Sequence, residues 1–249
     1  MSEQGRVIEI FSSIQGEGPL VGARQIFIRF QGCNLDCEYC DTEFSGISGT
    51  CQVENTPGRR DFMEIPNPVH LDTVISLLER WQSGWPGIHH SLSITGGEPL
   101  LQHEVLLDWL PQLRTRHPIY LETNGVLHGA LFQLLQHIDY ISMDIKLPST
   151  SGHLELWEPH RLFLKEASHG NVFVKIVVNE ATEDWEIHRV SEIITSVNPA
   201  IPLIVQPMTS RDATVAISPI RTLEIQELAS VQLTSVRVIP QTHRFLNQL

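Results

Sequence analysis

Hydrophobic residues recur along the chain with two different periods. Short runs rich in β-branched and aromatic residues predict strands, whereas recurrence at helical spacing, as in Val74, Leu77, Leu78 and Trp81, predicts helices. The predicted strands are Val7–Phe11, Gln25–Phe30, Ser91–Thr95, Ile119–Glu122, Tyr140–Lys146, Val172–Asn179, Pro202–Gln206 and Val236–Ile239. The predicted helices are Leu71–Trp81, Glu104–Arg114, Ala130–His137, His160–Ala167, Asp184–Val197 and Arg221–Ala229.

Strands and helices alternate through most of the chain. This order is typical of repeated βαβ units around a parallel sheet. A chain of 249 residues is long enough for one α/β domain of the barrel type, so we expect a single domain over residues 1–249. Residues 43–67 are rich in Gly, Ser, Thr and Pro and predict an inserted loop, whose role the sequence does not reveal.

Polar motifs follow the ends of five predicted strands. In a barrel of parallel strands the carboxyl ends of the strands point to one face, so these motifs are expected to meet there. Each motif alone could be ordinary turn chemistry, but five of them at strand ends favour a common site. They are a cysteine loop at 33–40, Gly96-Gly97-Glu98-Pro99, Glu122-Thr123-Asn124-Gly125, Asp144-Ile145-Lys146 and Gln206-Pro207-Met208-Thr209.

Charge and hydropathy narrow the classes of function. The formal net charge is −12, which disfavours a nucleic-acid binder because contacts to phosphate need Lys and Arg. No apolar run approaches the roughly 20 residues of a membrane span. The first residues, Met-Ser-Glu-Gln-Gly-Arg, lack the apolar core of a signal peptide, so we expect a cytoplasmic protein that acts on a small molecule.

Three of the four cysteines lie in the spacing C-x3-C-x2-C at Cys33, Cys37 and Cys40. Three closely spaced thiolates can hold three irons of a 4Fe–4S cluster and leave the fourth iron open to a ligand. A disulfide is disfavoured in a cytosolic protein. A structural zinc site, completed by Cys51 or a histidine, is the other alternative, although zinc sites usually pair their ligands differently. Cys51 is interpreted as a bystander thiol.

The cysteine spacing followed by Thr95-Gly-Gly-Glu-Pro99 resembles the radical S-adenosylmethionine (radical SAM) superfamily. Within it, the chain resembles the 7-carboxy-7-deazaguanine synthase family, and the likeness extends over nearly the whole chain. The motifs that carry it are Phe11-Ser-Ser-Ile-Gln-Gly-Glu-Gly18, Phe27-Ile-Arg-Phe30, Gly32-Cys-Asn-Leu-x-Cys-x-Tyr-Cys-Asp-Thr42, Glu122-Thr-Asn-Gly125, Asp144-Ile-Lys146, Gln206-Pro-Met208 and Gln241-Thr-His243.

The resemblance implies a lyase reaction. A deoxyadenosyl radical would take hydrogen from C6 of 6-carboxy-5,6,7,8-tetrahydropterin, and ring contraction with loss of ammonia would give 7-carboxy-7-deazaguanine for deazapurine (preQ0 and queuosine) biosynthesis. The implied cofactors are one three-cysteine 4Fe–4S cluster, SAM and Mg²⁺. A flavodoxin or ferredoxin as electron donor and a homodimer are further expectations of the resemblance.

The resemblance also implies residues that bind SAM. The turn at Gly96, Gly97 and Glu98 would offer backbone carbonyls to the methionyl ammonium, because glycine lets the backbone approach closely. The alternative for the two glycines is a tight turn alone. The remaining implied contacts are Asp144, Ile145, Lys146, Gln206, Pro207, Met208 and Thr209.

Arg29 is the candidate for the substrate carboxylate, since a guanidinium pairs with a carboxylate through two hydrogen bonds. It lies in an apolar strand, where a structural ion pair is the alternative. The resemblance adds Thr42 as a ligand of Mg²⁺, which prefers oxygen. It further adds substrate contacts from Ile14, Gln15, Gly16, Glu17, Thr95 and the carboxylate of Leu249.

Several alternatives stay open at this stage. The terminal residue Leu249 could belong to a frayed tail, and His243 could contact substrate or pack in the core. Val172–Asn179 lacks the glycine-rich motif of many superfamily members, which leaves the adenine contacts undefined. The alternative functions are an activating enzyme for glycyl-radical proteins, which share the cluster loop, and a zinc-stabilised binding protein without catalysis.

Overall fold

A ten-stranded sheet runs through the protein, whose computed structural model describes residues 4–40, 48–153, 156–210 and 212–248. The strands are β1 Gln4–Gly5, β2 Val7–Ile14, β3 Arg24–Phe30, β4 Thr50–Glu54, β5 Phe62–Pro66, β6 Val69–His70, β7 Ser91–Gly96, β8 Ile119–Thr123, β9 Tyr140–Asp144, β10 Val172–Val178, β11 Leu203–Pro207 and β12 Val236–Val238. Two of them, β1 and β6, pair with each other outside the large sheet.

Eight α-helices connect or follow the strands in the described ranges. They are α1 Leu71–Gly84, α2 His103–Arg114, α3 His128–Leu134, α4 Pro148–Ser151, α5 Trp157–Ala167, α6 Asp184–Val197, α7 Pro219–Ser230 and α8 Thr242–Phe245. Short 3₁₀ turns lie at Gly18–Leu20, Pro99–Gln102 and Leu135–His137. None of the helices in this part of the chain is long and apolar enough to cross a membrane.

The strand order is β12-β11-β10-β9-β8-β7-β3-β2-β4-β5. The seven strands from β3 through β7 to β12 are parallel to their neighbours, whereas β2 is antiparallel to β3. Within the described ranges no pairing joins β12 to β5, so the sheet stays open. The prediction of an α/β partial barrel of parallel strands is confirmed.

The helices cover the outer face of the sheet and form the main core with it. Trp81 on α1, Trp109 on α2 and Phe163 on α5 are fully buried against the strands. A smaller apolar cluster of Tyr120, Phe173 and Ile204 lies apart from this core. These helices are amphipathic, and their buried residues recur at helical spacing, as the sequence pattern predicts.

The prediction of a loop over 43–67 is wrong for much of that segment. β4 and β5 form an antiparallel pair, and β4 adds parallel to β2 at the edge of the sheet. Cys51 and Val53 of β4 are buried and alternate with the partly exposed Thr50 and Gln52, and the last residue, Glu54, is buried as well. Gln52 donates to Glu64 at 2.8 Å. Such short, half-polar edge strands give little hydrophobic signal among turn-forming residues. The first part of the segment lies outside the described residues.

Several other element boundaries differ from prediction by a few residues, among them the ends of β9 and α3. β9 ends at Asp144, so Ile145 and Lys146 follow the strand. The helix expected to reach His137 gives way to a 3₁₀ turn after Leu134. Both differences fall at element ends, where local pattern is least informative.

A buried pair of histidines lies between α1 and the sheet. His89 is 9% exposed, stacks on Trp81 with ring centroids 6.1 Å apart, and meets the edge of His117 at 6.2 Å. Its Nε2 atom is 2.8 Å from Ser12 Oγ, which also accepts from Arg24 Nε at 2.9 Å. Burial lowers the pKa of His89 to about 4, and the nearby Arg24 charge acts in the same direction.

This lowered pKa predicts acid sensitivity of the fold. The His89 imidazole takes up a proton near pH 6.5 in the unfolded state but only near pH 4 in the folded state. Its contribution to the free energy of unfolding is therefore fully present above pH 6.5 and is lost as the pH falls from 6.5 to 4. From pH 7 to pH 5 we expect His89 to account for a loss of about 2 kcal/mol. Urea unfolding of the wild type and of His89→Phe at both pH values measures this.

The His89→Phe variant should lose less stability on acidification than the wild type does. His169→Phe, at an exposed position, is the matched control and should follow the wild type. An equal loss in the wild type and the His89 variant would contradict the assignment.

Candidate active site

A cavity of about 850 Å³ opens at the carboxyl ends of the parallel strands. Its volume lies in the range of small-molecule sites, roughly 300–1,000 Å³. The five motifs that follow predicted strands all contribute to it, as expected for strand ends that share one edge. The contributions include Cys33, Gly97, Thr123, Asp144 and Gln206.

The inner face of the sheet changes from apolar to charged toward this cavity. Successive side chains of a strand alternate between the two faces. On β10, Phe173 therefore lies in the small apolar cluster, and Lys175 and Val177 on the same face line the cavity. On β8, Tyr120 and Glu122 repeat this order. The apolar cluster closes the bottom of the barrel, and the cavity is its polar top.

The cysteine loop forms one wall of the cavity. Cys33 and Cys37 are half-buried and Cys40 is exposed; all three are free thiols and line the cavity. Burial raises the pKa of Cys33 and Cys37, while the Lys146 ammonium opposes that rise. Each of these two thiols also interacts electrostatically with Cys40. The thiols are thus close together and face a cation that favours their thiolate form.

These thiols fit a cubane cluster better than a single ion. In the described ranges no three His, Cys, Asp or Glu side chains converge as ligands of one metal ion. The sulfurs that bind a 4Fe–4S cluster hold separate irons and need not converge on one point. Cys51 lies elsewhere, fully buried on β4, where burial raises its pKa to about 12. Cys51 is therefore a core thiol, and its interpretation from the sequence is that of a bystander.

The glycine turn after β7 approaches the backbone of β3. Gly96 has φ of 155°, and a Cβ there would collide with the backbone of Phe30, so a side chain cannot be accommodated. Gly97 lines the cavity, whereas Glu98 does not. The Glu98 carboxylate is fully buried and accepts from Leu100 N at 3.1 Å, Thr123 Oγ1 at 3.0 Å and Asn124 N at 2.7 Å. Its side chain therefore joins two turns beneath the cavity.

Four buried charges alternate in a row along the cavity. Lys146 Nζ lies 2.6 Å from Asp144 Oδ2, and Lys175 Nζ lies 3.1 Å from Asp144 Oδ1. Lys175 also pairs with Glu17. At the other end Lys146 donates to the hydroxyl of Tyr39, between Cys37 and Cys40, at 2.9 Å. The row thus runs from the 14–17 loop to the cysteine loop.

The charges in the row stabilise one another. Burial alone would raise the pKa of Glu17, but the Lys175 charge outweighs it and the pKa is about 2. Burial would lower the pKa of Lys175, yet Asp144, Glu17 and Glu122 raise it well above its usual value. The same balance of burial and the Asp144 charge raises the pKa of Lys146. Glu17, Lys146 and Lys175 are therefore ionised near neutral pH.

A second polar network holds the predicted substrate residues. Gln15 is 2% exposed and donates to Glu122 Oε1 at 2.8 Å and to Gln25 Oε1 at 2.9 Å. Thr95 donates to Glu122 Oε2 at 2.8 Å. Glu122 lines the cavity and gathers these groups on its carboxylate. The arrangement offers an amide, a hydroxyl and a carboxylate at one place, which suits a heterocycle with donor and acceptor edges.

Arg29 lines the cavity in an ion pair. Its Nε donates to Glu9 Oε1 at 2.7 Å, and its guanidinium lies 5.9 Å from the ring centre of Phe11. The pair is about one-quarter exposed. The structure therefore contains a structural ion pair, which was the alternative to a substrate contact for Arg29. The same side chain also faces the cavity.

The C-terminal segment, residues 241–248, covers part of the cavity. Thr242 N donates to Gly16 O at 2.9 Å, and Gln241 Nε2 donates to Glu17 Oε1 at 2.7 Å. A Cβ at Gly16 would collide with the ring of His243, so only glycine permits this contact. His243 itself lines the cavity.

The structure brings most predicted site residues to this cavity. Lining positions are Ile14, Gln15, Gly16, Glu17, Arg29, Cys33, Cys37, Cys40, Thr95, Gly97, Asp144, Lys146, Gln206, Met208 and Thr209. Three predicted residues do not line it, namely Glu98, Ile145 and Pro207. Thr42 and Leu249 lie outside the described residues.

Sequence reasoning missed Lys175 and assigned no role to Glu122, although both line the cavity. A lysine in the apolar run Val172-Phe-Val-Lys-Ile-Val-Val178 is a usable signal, because a buried charge needs a partner. The contribution of Arg60 follows from contacts across the chain and carries no such local signal.

Comparison with known proteins agrees with this geometry. A family model described as the radical SAM superfamily matches residues 27–166, more than half of the chain. The chain therefore belongs to the radical SAM superfamily.

Relatives that match the full length of the chain identify its family within this superfamily. A 7-carboxy-7-deazaguanine synthase of Geobacter sulfurreducens is 58% identical to this chain, and the alignment covers the whole length of both proteins. The synthase of Methanothermobacter thermautotrophicus is 36% identical, with 96% of each chain covered. The chain belongs to the 7-carboxy-7-deazaguanine synthase family.

A solved structure supports the fold. The crystal structure of QueE from Escherichia coli superposes with a TM-score of 0.60 and 20% identity, covering 97% of this chain and 96% of that one. The relatives favour the synthase over the glycyl-radical activating enzyme and the zinc-stabilised binding protein, which were the alternatives.

The row of charges predicts a large effect of removing Lys175. Lys175→Met leaves Glu17 without its ammonium partner and Asp144 with only one, and loss of one member of a buried pair costs about 3 kcal/mol. Urea unfolding of the anaerobically purified protein measures the loss. Lys165→Met, at an exposed position on α5, is the control and should change stability little. Equal stability of the two variants would contradict the role of the row.

Proposed function

We propose that the protein converts 6-carboxy-5,6,7,8-tetrahydropterin to 7-carboxy-7-deazaguanine with loss of ammonia, as a radical SAM lyase of deazapurine biosynthesis. The observation that carries this function is the meeting of the three-cysteine loop, the row of charges and the Gln15–Glu122 network in one cavity. The family of the chain agrees with it.

The cluster and SAM would lie at the cysteine end of the cavity. Cys33, Cys37 and Cys40 would hold three irons and leave one for the amino and carboxylate groups of SAM. Lys146 and Asp144, side by side, present a cation and an anion to that zwitterion. When bound, the cluster and SAM supply an electron and a deoxyadenosyl radical that removes hydrogen from C6 of the substrate.

The remaining proposed SAM contacts lie around this pair. Gly97 would offer its backbone at the turn after β7, and Gln206, Met208 and Thr209 would line the far wall after β11. Ile145, Pro207 and Glu98 do not line the cavity, so they would act by positioning the residues beside them. Glu98 orients the turn by accepting from Thr123 and Asn124.

The pterin would lie on the Gln15–Glu122 network. Glu122 can accept from the amino and ring N–H groups of a pterin, and Gln15 and Thr95 orient its carboxylate by donating to it. Ile14, Gly16 and Glu17 form the adjoining loop. Arg29 would offer its guanidinium to the substrate carboxylate next to its bond with Glu9. These groups position C6 and exclude water from the reacting centre.

We propose Mg²⁺ as a third cofactor, with Thr42 as a protein ligand. The support is the family resemblance and the chemistry of Mg²⁺, which keeps several waters and takes few protein oxygens. Thr42 follows Cys40 by two residues, and Cys40 lines the cavity. We further propose that the carboxylate of Leu249 enters the substrate end, since Gln248 lines the cavity.

A one-electron donor is needed for each radical formed, and we propose a flavodoxin or ferredoxin. Cys40 is exposed, which would give a donor access to the cysteine loop. We also propose that each chain forms a single domain, that two chains form a homodimer, and that the protein is cytoplasmic. Symmetric dimers are common among enzymes.

The cysteine assignment predicts which thiols carry the cluster. After anaerobic reconstitution, the wild type and Cys51→Ala should bind about four irons and four sulfides per chain. Cys33→Ala, Cys37→Ala and Cys40→Ala should each lose most of the cluster and its broad absorption near roughly 400 nm. Iron and sulfide analysis with the visible spectrum measures this. A stable cluster in Cys37→Ala, or its loss in Cys51→Ala, would overturn the assignment.

The function predicts a specific product. The reconstituted protein, given SAM, a chemical reductant and 6-carboxy-5,6,7,8-tetrahydropterin, should release 7-carboxy-7-deazaguanine and ammonia. Mass spectrometry of the deazapurine is the measurement, with tetrahydropterin lacking the carboxylate as the control substrate. Formation of deoxyadenosine with an intact cluster but no deazapurine would refute the proposed substrate.

A further inference from the structure

The loop that joins β4 to β5 reaches the mouth of the catalytic cavity. This loop, residues 55–61, belongs to the segment for which the sequence reveals no role. Arg60 lines the cavity together with Asn247 and Gln248. Its Nη2 donates to the backbone carbonyl of Asn247, 187 residues further along the chain. An edge hairpin thus contacts the C-terminal segment.

A buried carboxylate fixes the backbone of this loop. Glu54, at the end of β4, is fully buried. It accepts from Ser12 N at 2.9 Å, Gly58 N at 2.7 Å and Arg60 N at 2.6 Å. Three amide donors compensate the desolvation of a carboxylate. The bond from Ser12 ties the loop to β2, so the amide of Arg60 has a defined position relative to the main sheet.

Two further contacts hold the loop on the core. Arg24 at the start of β3 donates from Nη2 to Pro57 O at 2.8 Å. Gly58 in this loop has φ of 77°, in the left-handed region that favours glycine. Trp81 Nε1 on α1 donates to Asn55 O at 3.1 Å. The loop is therefore a fixed support and not a freely moving tip.

Arg60 itself has an unusual backbone conformation. Its φ is 57°, in the left-handed region that favours glycine. Asparagine and aspartate also adopt this region more readily than arginine. A long cationic side chain at such a position points to a use for the side chain, because the backbone alone would be served by glycine.

The C-terminal segment is held at both of its ends. Gln241 and Thr242 bond to Glu17 and Gly16 near its beginning, and Asn247 accepts from Arg60 near its end. Between them His243 packs on Gly16 at the cavity wall. Loss of the Arg60 contact would release the far end, while the contacts to the 14–17 loop would remain.

We infer that Arg60 is a positioning residue that latches the C-terminal segment over the cavity, with the β4–β5 hairpin as its rigid support. The expected consequence of the latch is that the substrate is retained and water is excluded during the radical reaction. Only this consequence rests on the proposed function. The latch itself is a contact that can be measured without turnover.

Hydrogen exchange of the folded, cluster-loaded enzyme tests the latch directly. In Arg60→Ala, we expect the amides of Leu246, Asn247 and Gln248 to exchange roughly 10-fold faster, as for loss of a hydrogen bond to a charged group. Arg60→Lys should restore part of the protection. Arg59→Ala, next in the same loop and exposed, is the matched control and should behave as the wild type. Unchanged protection in Arg60→Ala would overturn the latch.

Kinetics test the consequence of closure. Arg60→Ala should raise KM for the carboxypterin roughly 10-fold and release more deoxyadenosine per deazapurine formed, with SAM binding near that of the wild type. Arg59→Ala should match the wild type in both. If the wild type makes no deazapurine, the proposed function fails while the exchange result still stands. If the wild type turns over and Arg60→Ala matches it in KM and product ratio, the positioning role fails.

Discussion

Two lysines and two carboxylates alternate along the cavity, and the separate parts of the candidate site meet through them. Lys146 reaches the cysteine loop through Tyr39, and Glu17 reaches β11 and the C-terminal segment through Gln206 and Gln241. In a low-dielectric interior each charge is tolerated only because its neighbours have the opposite sign. A zwitterion such as the methionyl group of SAM can join such a row without leaving a charge unpaired. The row therefore suits a zwitterionic ligand, which supports the proposed position of SAM.

The charged row depends on how the strands divide their two faces. With a period of two residues, Phe173 and Lys175 share the inner face of β10, and Ile204 and Gln206 share that of β11. The lower, apolar members pack together and exclude water from the bottom of the barrel. The upper, polar members are left at the cavity, where a ligand can replace water. The same alternation therefore builds both the stable base and the reactive end.

Much of this arrangement is readable from the sequence, because it is local. The alternation of elements and the strand-end motifs predict the sheet and the cavity, since parallel strands bring their carboxyl ends together. Lys175 escaped notice because its neighbours resemble an ordinary buried strand, and its partner Glu17 is 158 residues away. β4 and β5 were missed because β4 pairs with the distant strand β2 and β5 pairs with β4, and a local pattern does not contain these pairings. Glu98 carries a motif position yet serves the turn with its buried carboxylate, whose pKa burial raises to about 7.

The open edges of the sheet explain why the C-terminal segment has its position. β12 is one edge strand and β5 is the other, and within the described ranges no hydrogen bonds join them. The chain leaves β12 with Ile239 bonded to Val205, then contacts Gly16 through Thr242, and ends near Arg60 beside β4. It therefore crosses the mouth from one edge strand to the loop of the other. A closed barrel would need no such crossing, whereas in this partial barrel the C-terminal segment covers part of the cavity. The β4–β5 hairpin at the far edge of the sheet supplies the support for that segment.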